Sequence, residues 1–267
     1  MSTSHKKTFS KQAISACFLS FLWLVLHGIL PVAGMPLAVT RTYDFRDKRA
    51  GDFGVGWSLS VSDARIQKNG VVGGMDQMQV WNSHKVIGGG LLLVYALDAV
   101  KPRIVTITLP DGTVYSFHAK VEPQQLEPIT EGVMEWEAQP GTKGTLQVVG
   151  DSYFESSNTN GPTTLSTPEG APYDPHQFLL TLPDGRSFYV EEGVGLYWMR
   201  DRNGNRIDLL RDGSGKVMEL ASTPAGSSSP ARAVFFTRGA DGRITSISDA
   251  KGAEVVQKWM PFMKGTF

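Results

Sequence analysis

The chain has 267 residues, of which 41% are hydrophobic and 10% aromatic; this is enough to build a packed core and excludes global disorder. Its 26 basic and 26 acidic residues balance, so we expect no nucleic-acid partner and no membrane binding driven by surface charge. The single cysteine, Cys17, excludes an internal disulfide, and the 29 glycines predict many tight turns.

Residues 1–34 are predicted to be a targeting segment. Lys6, Lys7 and Lys11 precede an apolar run, and no Lys, Arg, Asp or Glu occurs between residues 12 and 40. This order is typical of a secretory signal peptide, and residues 32–34 are small enough for cleavage. Residues 13–30 are also just long enough for an uncleaved membrane anchor, and a non-native start is a third alternative. We therefore expect an N-terminal apolar helix, a secreted or cell-envelope location, and membrane contact only through residues 13–30 if they are retained.

The segment 31–59 organises the rest of the chain. A strand is predicted from Met35 to Tyr43, a solvated turn with five charges over 44–51, and a glycine-spaced aromatic strand over 53–57. From Trp57 to Ile66 apolar and polar residues begin by alternating, which predicts a half-buried strand, and Asn69-Gly70 then signals a hairpin.

The middle of the chain carries further strand signals. Residues 75–81 are a predicted strand, three glycines at 88–90 then break the pattern before the apolar run 91–97, and residues 104–109 and 113–117 form a predicted hairpin around Pro110-Asp111-Gly112. The region from Val121 to Pro175 is rich in turn-forming residues. We expect an irregular excursion there with one or two strands, the best at residues 146–149.

A hairpin motif then returns. Thr181-Leu182-Pro183-Asp184-Gly185 repeats the segment 108–112 with an offset of 73 residues, and aromatic-bearing strands follow both turns. Turns are also predicted at Asn203-Gly204, Asp212-Gly213 and Asp241-Gly242. The predicted fold over residues 35–267 is all-β, with repeated β-hairpins forming an extended, curved antiparallel sheet.

The motifs of common metal and phosphate sites are not matched. The five histidines are not at metal-ligand spacing, so we expect no zinc site. Asp201-x-Asn203-Gly204-Asn205 is closer to a turn than to a calcium loop, because its glycine comes too early and the required glutamate is missing. Gly54-x-Gly56 lacks the third glycine and the following helix of a dinucleotide loop. We expect no cofactor.

Candidate catalytic and sugar-binding residues have structural alternatives. Glu131, Glu135 and Glu137 resemble the acids of a glycosidase only in type, and a solvated strand face explains them better. No nucleophile-elbow motif is present, so we expect no enzymatic activity. Tyr197 and Trp198 could stack on sugars or form cross-strand packing pairs.

Two segments carry a family resemblance. The first runs from Gly34-x-Pro36-Leu37 through Thr40-Arg41-Thr42-Tyr43-Asp44 to Gly51-Asp52-Phe53-Gly54-x-Gly56-Trp57, and the second pairs residues 201–207 with residues 241–247. In both, the chain resembles the Rhs (YD-repeat) family, the shell-forming polypeptides of polymorphic toxins, which are related to the cocoon components of Tc toxins. The resemblance covers about residues 31–260, with Ser248-Asp249 where the repeat typically has Tyr-Asp.

The resemblance implies a non-enzymatic structural role. The chain would be the N-terminal fragment of an exported shell, with the rest of that shell and its toxin domain as partners. A surface module that binds cell-surface glycans through aromatic residues is the alternative. The predicted architectural residues are Pro36, Arg41, Tyr43, Asp44, Gly51, Asp52, Phe53, Gly54, Gly56, Trp57, Asp111, Gly112, Asp184, Gly185, Asn203, Gly204, Asn205, Asp241, Gly242 and Arg243.

Overall fold

The computed structural model describes residues 23–30, 35–74, 80–86, 94–122, 125–126, 131–156 and 161–249. Over these residues 56% are in strands and there is no α-helix, which confirms the all-β prediction; a single 3-10 turn covers Ser60–Ser62. The strands are β1 (Trp23–Leu30), β2 (Leu37–Tyr43), β3 (Ala50–Gly51), β4 (Gly54–Val55), β5 (Trp57–Leu59), β6 (Arg65–Lys68), β7 (Trp81–Val86), β8 (Val94–Ala99), β9 (Ile104–Thr108), β10 (Val114–Glu122), β11 (Gln125–Leu126), β12 (Glu131–Ala138), β13 (Thr145–Val148), β14 (Tyr153–Ser156), β15 (Gly161–Thr163), β16 (Leu165–Ser166), β17 (Gln177–Thr181), β18 (Ser187–Glu191), β19 (Gly195–Arg200), β20 (Arg206–Arg211), β21 (Val217–Thr223), β22 (Arg232–Arg238) and β23 (Ile244–Asp249).

These strands form antiparallel sheets, one of which curls into a half-barrel. The N-terminal sheet has the order β1-β2-β5-β4-β3, and the six-stranded sheet has the order β16-β14-β12-β10-β9-β6. A four-stranded sheet has the order β11-β8-β7-β15. The eight-stranded sheet has the order β13-β17-β18-β19-β20-β21-β22-β23, so from β17 onward each strand pairs with the next one in sequence.

One turn geometry recurs through the hairpins. In the β9–β10 hairpin the amide of Leu109 donates to the carbonyl of Thr113, and the amide of Gly112 donates to the carbonyl of Leu109. Gly112 has a φ of 82°, which identifies a type I turn closed by a left-handed glycine. The same bonds close the turns at residues 182–186, 201–205, 212–216 and 239–243. The turn predicted at Asp212-Gly213 therefore forms, but its left-handed position is Gly215 and not Gly213.

The hydrophobic core draws buried side chains from all four sheets. Strands β9 and β17 alternate half-buried and buried residues, so each turns one face inward. Trp136 of β12 meets Phe178 of β17 edge-on, with ring centroids 5.4 Å apart. Phe117 and Phe154 of the six-stranded sheet are fully buried in the same cluster.

The N-terminal apolar helix is not observed where the structure describes that segment. Residues 23–30, which the prediction included in the helix, form strand β1 and pair with β2 from Trp23↔Tyr43 to Leu30↔Leu37. Pairing with a neighbouring strand satisfies the backbone of this segment without helical hydrogen bonds. Residues 13–22 and 31–34, and with them the rest of the predicted signal or anchor, lie outside the described residues. Within the described residues, no helix is long and apolar enough to cross a membrane.

The prediction for residues 121–175 was right about the strand at 146–149, which forms as β13 (Thr145–Val148), but wrong about an otherwise irregular excursion. Strands β11 to β16 lie there, and β12 is an eight-residue strand whose inward side chains include Met134 and Trp136. The many turn-forming residues separate short strands, and those strands belong to three different sheets. Composition indicated the loops correctly, but it did not reveal the strand pairing between them.

Two further strand predictions need correction. The aromatic strand predicted over residues 53–57 is broken into β4 and β5 by tight turns, because Gly54 and Gly56 have φ values of 126° and 74°. The strand predicted from Trp57 to Ile66 is interrupted by the 3-10 turn. Asn69-Gly70 closes no hairpin: β6 pairs with β9, and the Asn69 side chain accepts a hydrogen bond from the amide of Ile104 at 2.9 Å.

Candidate functional site

The predicted motif at the start of the described chain forms a compact cluster around an arginine. The Arg41 guanidinium lies 4.3 Å from the centroid of the Trp57 ring and 6.0 Å from that of Phe53. Tyr43 also packs against Trp57, with ring centroids 4.8 Å apart. All four side chains are half-buried, and burial lowers the pKa of Arg41. We call Arg41, Tyr43, Phe53 and Trp57 the N-terminal aromatic cluster.

Glycines make this arrangement possible. A Cβ on Gly51 would collide with the carbonyl oxygen of Trp57. Gly56 combines a left-handed φ of 74° with a Cβ position only 2.7 Å from the carbonyl oxygen of Asp44. Gly54 also needs its positive φ, although open space surrounds it. The glycine spacing therefore serves close backbone approach between β3, β4 and β5.

The charged turn beside the cluster is a local structure at the surface. The amide of Asp44 donates to the carbonyl of Gly56 at 2.9 Å, and the Asp44 carboxylate pairs with Arg46 at 3.1 Å. The hydrogen bonds from Arg46 lower the pKa of Asp44, and those from Arg49 lower the pKa of Asp47. Pro36 precedes β2 and is exposed. The turn is stabilised by its own local ion pairs, in which both aspartates are engaged.

Asp52 connects the N-terminal sheet to the eight-stranded sheet. Arg238 of β22 donates to Asp52 Oδ1 at 2.7 Å, and the Arg238 side chain is only 7% exposed. The other carboxylate oxygen of Asp52 accepts from the amide of Leu59 at 3.2 Å. The backbone carbonyl of Asp52 accepts from the amide of Ile244 at 2.7 Å. Asp52 thus holds residues that are more than 180 positions away in the sequence.

Arg238 also makes a set of hydrogen bonds that recurs within the eight-stranded sheet. It donates to the carbonyl of Gly242 in the next turn at 2.9 Å and to the carbonyl of Val217 at the start of the neighbouring strand at 3.0 Å. Arg211, at the end of β20, makes the same two kinds of bond, to Gly215 at 3.0 Å and to Leu196 at 2.8 Å. Arg238 differs from Arg211 in its direct contact with a carboxylate, that of Asp52.

The other predicted motif residues lie in hairpin turns at the ends of the sheets. The pairs Asp111-Gly112, Asp184-Gly185 and Asn203-Gly204 occupy turns that are closed by local hydrogen bonds. Asp241-Gly242 is the turn that the structure brings near the N-terminal aromatic cluster, through Arg238 and Ile244. Arg243 forms a local ion pair with Asp241 at 3.4 Å.

The loop from Asp201 to Asn205 is confirmed as a turn. The Asp201 carboxylate accepts hydrogen bonds from the amides of Asn203 and Asn205 and from the side-chain amide of Asn205, all at 2.8–2.9 Å. The bond from the Asn205 side chain is the main cause that lowers the pKa of Asp201. Within the part of the chain that the structure describes, no group of three or more His, Cys, Asp or Glu residues could hold a metal ion.

The candidate acids of β12 lie on a solvated strand face. Glu131, Glu135 and Glu137 are exposed, whereas Trp136 is 8% exposed and points into the core. Glu137 has a neighbour in His118, at 3.4 Å on the adjacent strand. This alternation confirms the structural interpretation of the acidic residues.

A buried ionic cluster was not found by sequence reasoning. Lys68 is 6% exposed, and its ammonium group contacts Asp174 at 2.8 Å and Glu192 at 2.7 Å. His176 lies 2.6 Å from the same Glu192 oxygen. Burial raises the pKa of Glu192, but the hydrogen bonds from Lys68 and His176 outweigh it and hold the pKa below its usual range. These residues are scattered along the chain, so no spacing could have indicated the cluster.

The predicted aromatic pair of β19 lies on the outer face of the eight-stranded sheet. Trp198 is directly opposite Tyr189 of β18, and their rings meet edge-on at 5.9 Å. Tyr197 stacks on the same Tyr189 at 5.0 Å. A hydrogen bond to Glu191, with burial, raises the pKa of Tyr197. The cross-strand packing interpretation is confirmed, and the rings remain half-buried at the surface.

Comparisons with known proteins add no family to this description. A scan of the chain against protein-family models finds no match, and a search of curated proteins likewise finds no significant match.

Proposed function

We propose that the chain is a non-enzymatic structural module, the N-terminal portion of an exported Rhs-type shell. In this proposal the N-terminal sheet packs against the hairpin strands β21–β23 of a repeating β-sheet, and the remainder of the shell and its C-terminal toxin domain are the partners. The motif residues of the N-terminal aromatic cluster act as architecture and not as a chemical site.

The observation that carries the proposal is the contact between Asp52 and the eight-stranded sheet. The glycine-rich motif that resembles the start of an Rhs shell is bound to the hairpin that resembles the repeat, through Arg238 at 2.7 Å and the Ile244 amide at 2.7 Å. A repeat sheet buries each unit against its neighbours. The N-terminal sheet contacts β21–β23, the last three strands of the eight-stranded sheet, and the Ser222 hydroxyl also donates to the carbonyl of Met35 at 3.3 Å.

The turn chemistry supports the same proposal. Hairpins closed by left-handed glycines extend the sheet one strand at a time, and each arginine of the Arg211 and Arg238 pair ties a turn to the neighbouring strand. Such a unit can be repeated without helices to cover it. The same arginine hydrogen bonds would then recur in further strands of a longer shell.

The proposal is tested by the size and location of the native product. An antibody raised against residues 31–260 is used to immunoblot fractions of the source cells, namely cytoplasm, envelope and medium. A band much larger than 29.1 kDa in the envelope or medium is the expected result. A product of about 29.1 kDa or less, or one confined to the cytoplasm, would contradict the assignment to an exported shell.

A further inference from the structure

The outer face of the eight-stranded sheet carries an aromatic surface that the structural role does not use. Inward residues of the same strands, such as Val190 and Leu196, are fully buried, which places Tyr189 and Trp198 on the opposite face. The pairing shifts register between Tyr189 and Val190, so Tyr197 is an extra residue in a β-bulge. A bulge lets two consecutive side chains reach the same side of a sheet. Tyr197 and Trp198 therefore both contact Tyr189.

A concavity lined by both polar and apolar residues adjoins this aromatic surface. It has a volume of about 540 Å³ and lies between β20, β21 and the loop at residues 224–230. Its walls include Arg200, Arg206, Asp208, Glu219, Thr223 and Ser227. Its volume falls within the range of about 300–1,000 Å³ that is usual for small-molecule sites.

The two features form one continuous surface. Asp208 of the concavity is the register partner of Trp198, and Arg200 is the register partner of Arg206. The Arg200 guanidinium lies 5.5 Å from the centroid of the Trp198 ring, so it belongs to both features. Arg200 is exposed and leaves donor groups available at this junction.

The chemistry of this surface matches a carbohydrate. A pyranose ring presents an apolar C–H face, which an aromatic side chain can cover, and hydroxyl groups that both donate and accept hydrogen bonds. Arginine, carboxylate and hydroxyl side chains supply the complementary donors and acceptors. The Arg206 guanidinium is already oriented by Asp208, at 3.0 Å. Aromatic rings next to these hydrogen-bonding side chains are therefore suited to bind one sugar unit and the unit linked to it.

The charge of the concavity disfavours other ligand classes. Two arginines face Asp208 and Glu219, so the surface has no excess of positive charge to hold a phosphate backbone. The loop wall consists largely of Ser, Gly, Thr and Pro, and Leu210 is the one large apolar side chain in the lining, whereas protein partners use clusters of aromatic and apolar anchors. We infer that Tyr189, Tyr197, Trp198 and the adjoining concavity bind an uncharged oligosaccharide. This site goes beyond the proposed shell role and does not depend on it.

Glycan binding by the full chain tests the inference. The protein is applied to a printed array of hexose and N-acetylhexosamine oligosaccharides, with a random peptide array and single-stranded DNA as competing classes. The strongest oligosaccharide is then titrated calorimetrically. Saturable binding to an oligosaccharide is expected; binding to peptide or DNA alone, or no binding to any printed sugar, would overturn the inference.

Matched variants locate the site. Trp198→Ala removes an aromatic surface, and Arg200→Gln changes an exposed side chain that no fold contact requires apart from its packing on Trp198. Each is expected to weaken oligosaccharide binding about tenfold or more. Tyr153→Ala is the control, because Tyr153 is 59% exposed on β14 of the six-stranded sheet, away from the proposed site. This substitution should leave the affinity for the oligosaccharide unchanged. Melting curves establish that the variants are folded; wild-type affinity in folded Trp198→Ala and Arg200→Gln proteins would refute the assignment.

Discussion

Replacing Arg238 tests whether one ionic contact attaches the N-terminal sheet to the rest of the protein. Arg238→Met removes the bond to Asp52 and the two bonds to backbone carbonyls, and it leaves a carboxylate that is 21% exposed without its partner. Breaking a buried pair by removing one member typically costs about 3–5 kcal/mol. We expect a loss near the lower end of that range, because the aspartate retains some contact with solvent.

Arg211 provides an internal control for this substitution. It makes the same two kinds of carbonyl bond, so Arg211→Met should cost only about 2 kcal/mol, the expected effect of losing hydrogen bonds from a charged donor. The difference between the two variants isolates the contribution of the carboxylate. A double-mutant cycle with Asp52→Asn should give a coupling of about 1.5–3 kcal/mol with Arg238→Met, and about 0.5 kcal/mol or less with Arg211→Met.

Two measurements decide the outcome. Urea unfolding followed by tryptophan fluorescence gives the free energy of unfolding of each variant. Hydrogen exchange of the Ile244 amide reports the docking directly, because that amide donates to the Asp52 carbonyl; exchange should accelerate in Arg238→Met and not in Arg211→Met. Equal couplings for both arginines, or unchanged exchange at Ile244, would refute the reasoning.

Three further predictions concern buried polar groups. Lys68→Met should cost about 3–5 kcal/mol at pH 7, measured by urea unfolding, because it removes the cation that Asp174 and Glu192 share. The pKa of Glu192 is lowered in the folded state, so the stability that Glu192 contributes in the wild type should be lost as the pH falls below about 4. Burial raises the pKa of Asp63, so the contribution of Asp63 to folding stability is most favourable below its unfolded pKa and declines as the pH rises. Asp63→Asn should therefore raise the melting temperature at pH 7 and have little effect at pH 3. An equal shift of the melting temperature at both pH values would contradict this. Trp81→Phe should lower the free energy of chemical unfolding by about 1–3 kcal/mol more than Trp136→Phe does. The Trp81 indole donates to a backbone carbonyl at 2.8 Å, whereas the buried Trp136 indole has no hydrogen-bond partner among the described residues. Equal costs for the two substitutions would count against a stabilising Trp81 bond.

Local patterns in the sequence predicted much of the fold. The hairpin around Asp111-Gly112 and its repeat around Asp184-Gly185 form where expected, because alternating residues and a left-handed glycine specify a hairpin within a dozen residues. The strand of β2 and the packing of Trp198 against Tyr189 were also predictable from short segments. Each of these features depends on contacts between residues that are close in the chain.

Long-range pairing was not predictable in the same way. Asn69-Gly70 has the composition of a hairpin, yet β6 pairs with β9, and β13 lies beside β17 across the intervening strands. The choice among possible strand partners depends on which apolar faces can be buried together, and a single strand does not encode its partner.

The candidate sites show the same difference between local and long-range contacts. The residue types of the N-terminal aromatic cluster could be selected from sequence because they lie within 17 positions, from Arg41 to Trp57. The partners Asp52–Arg238 and Lys68–Glu192 come from distant parts of the chain. The sequence by itself determined the all-β class, the turn chemistry and the local aromatic packing. Only the tertiary structure decided which charges are buried together and which aromatic face adjoins a concavity, because those contacts exist only after the sheets have packed.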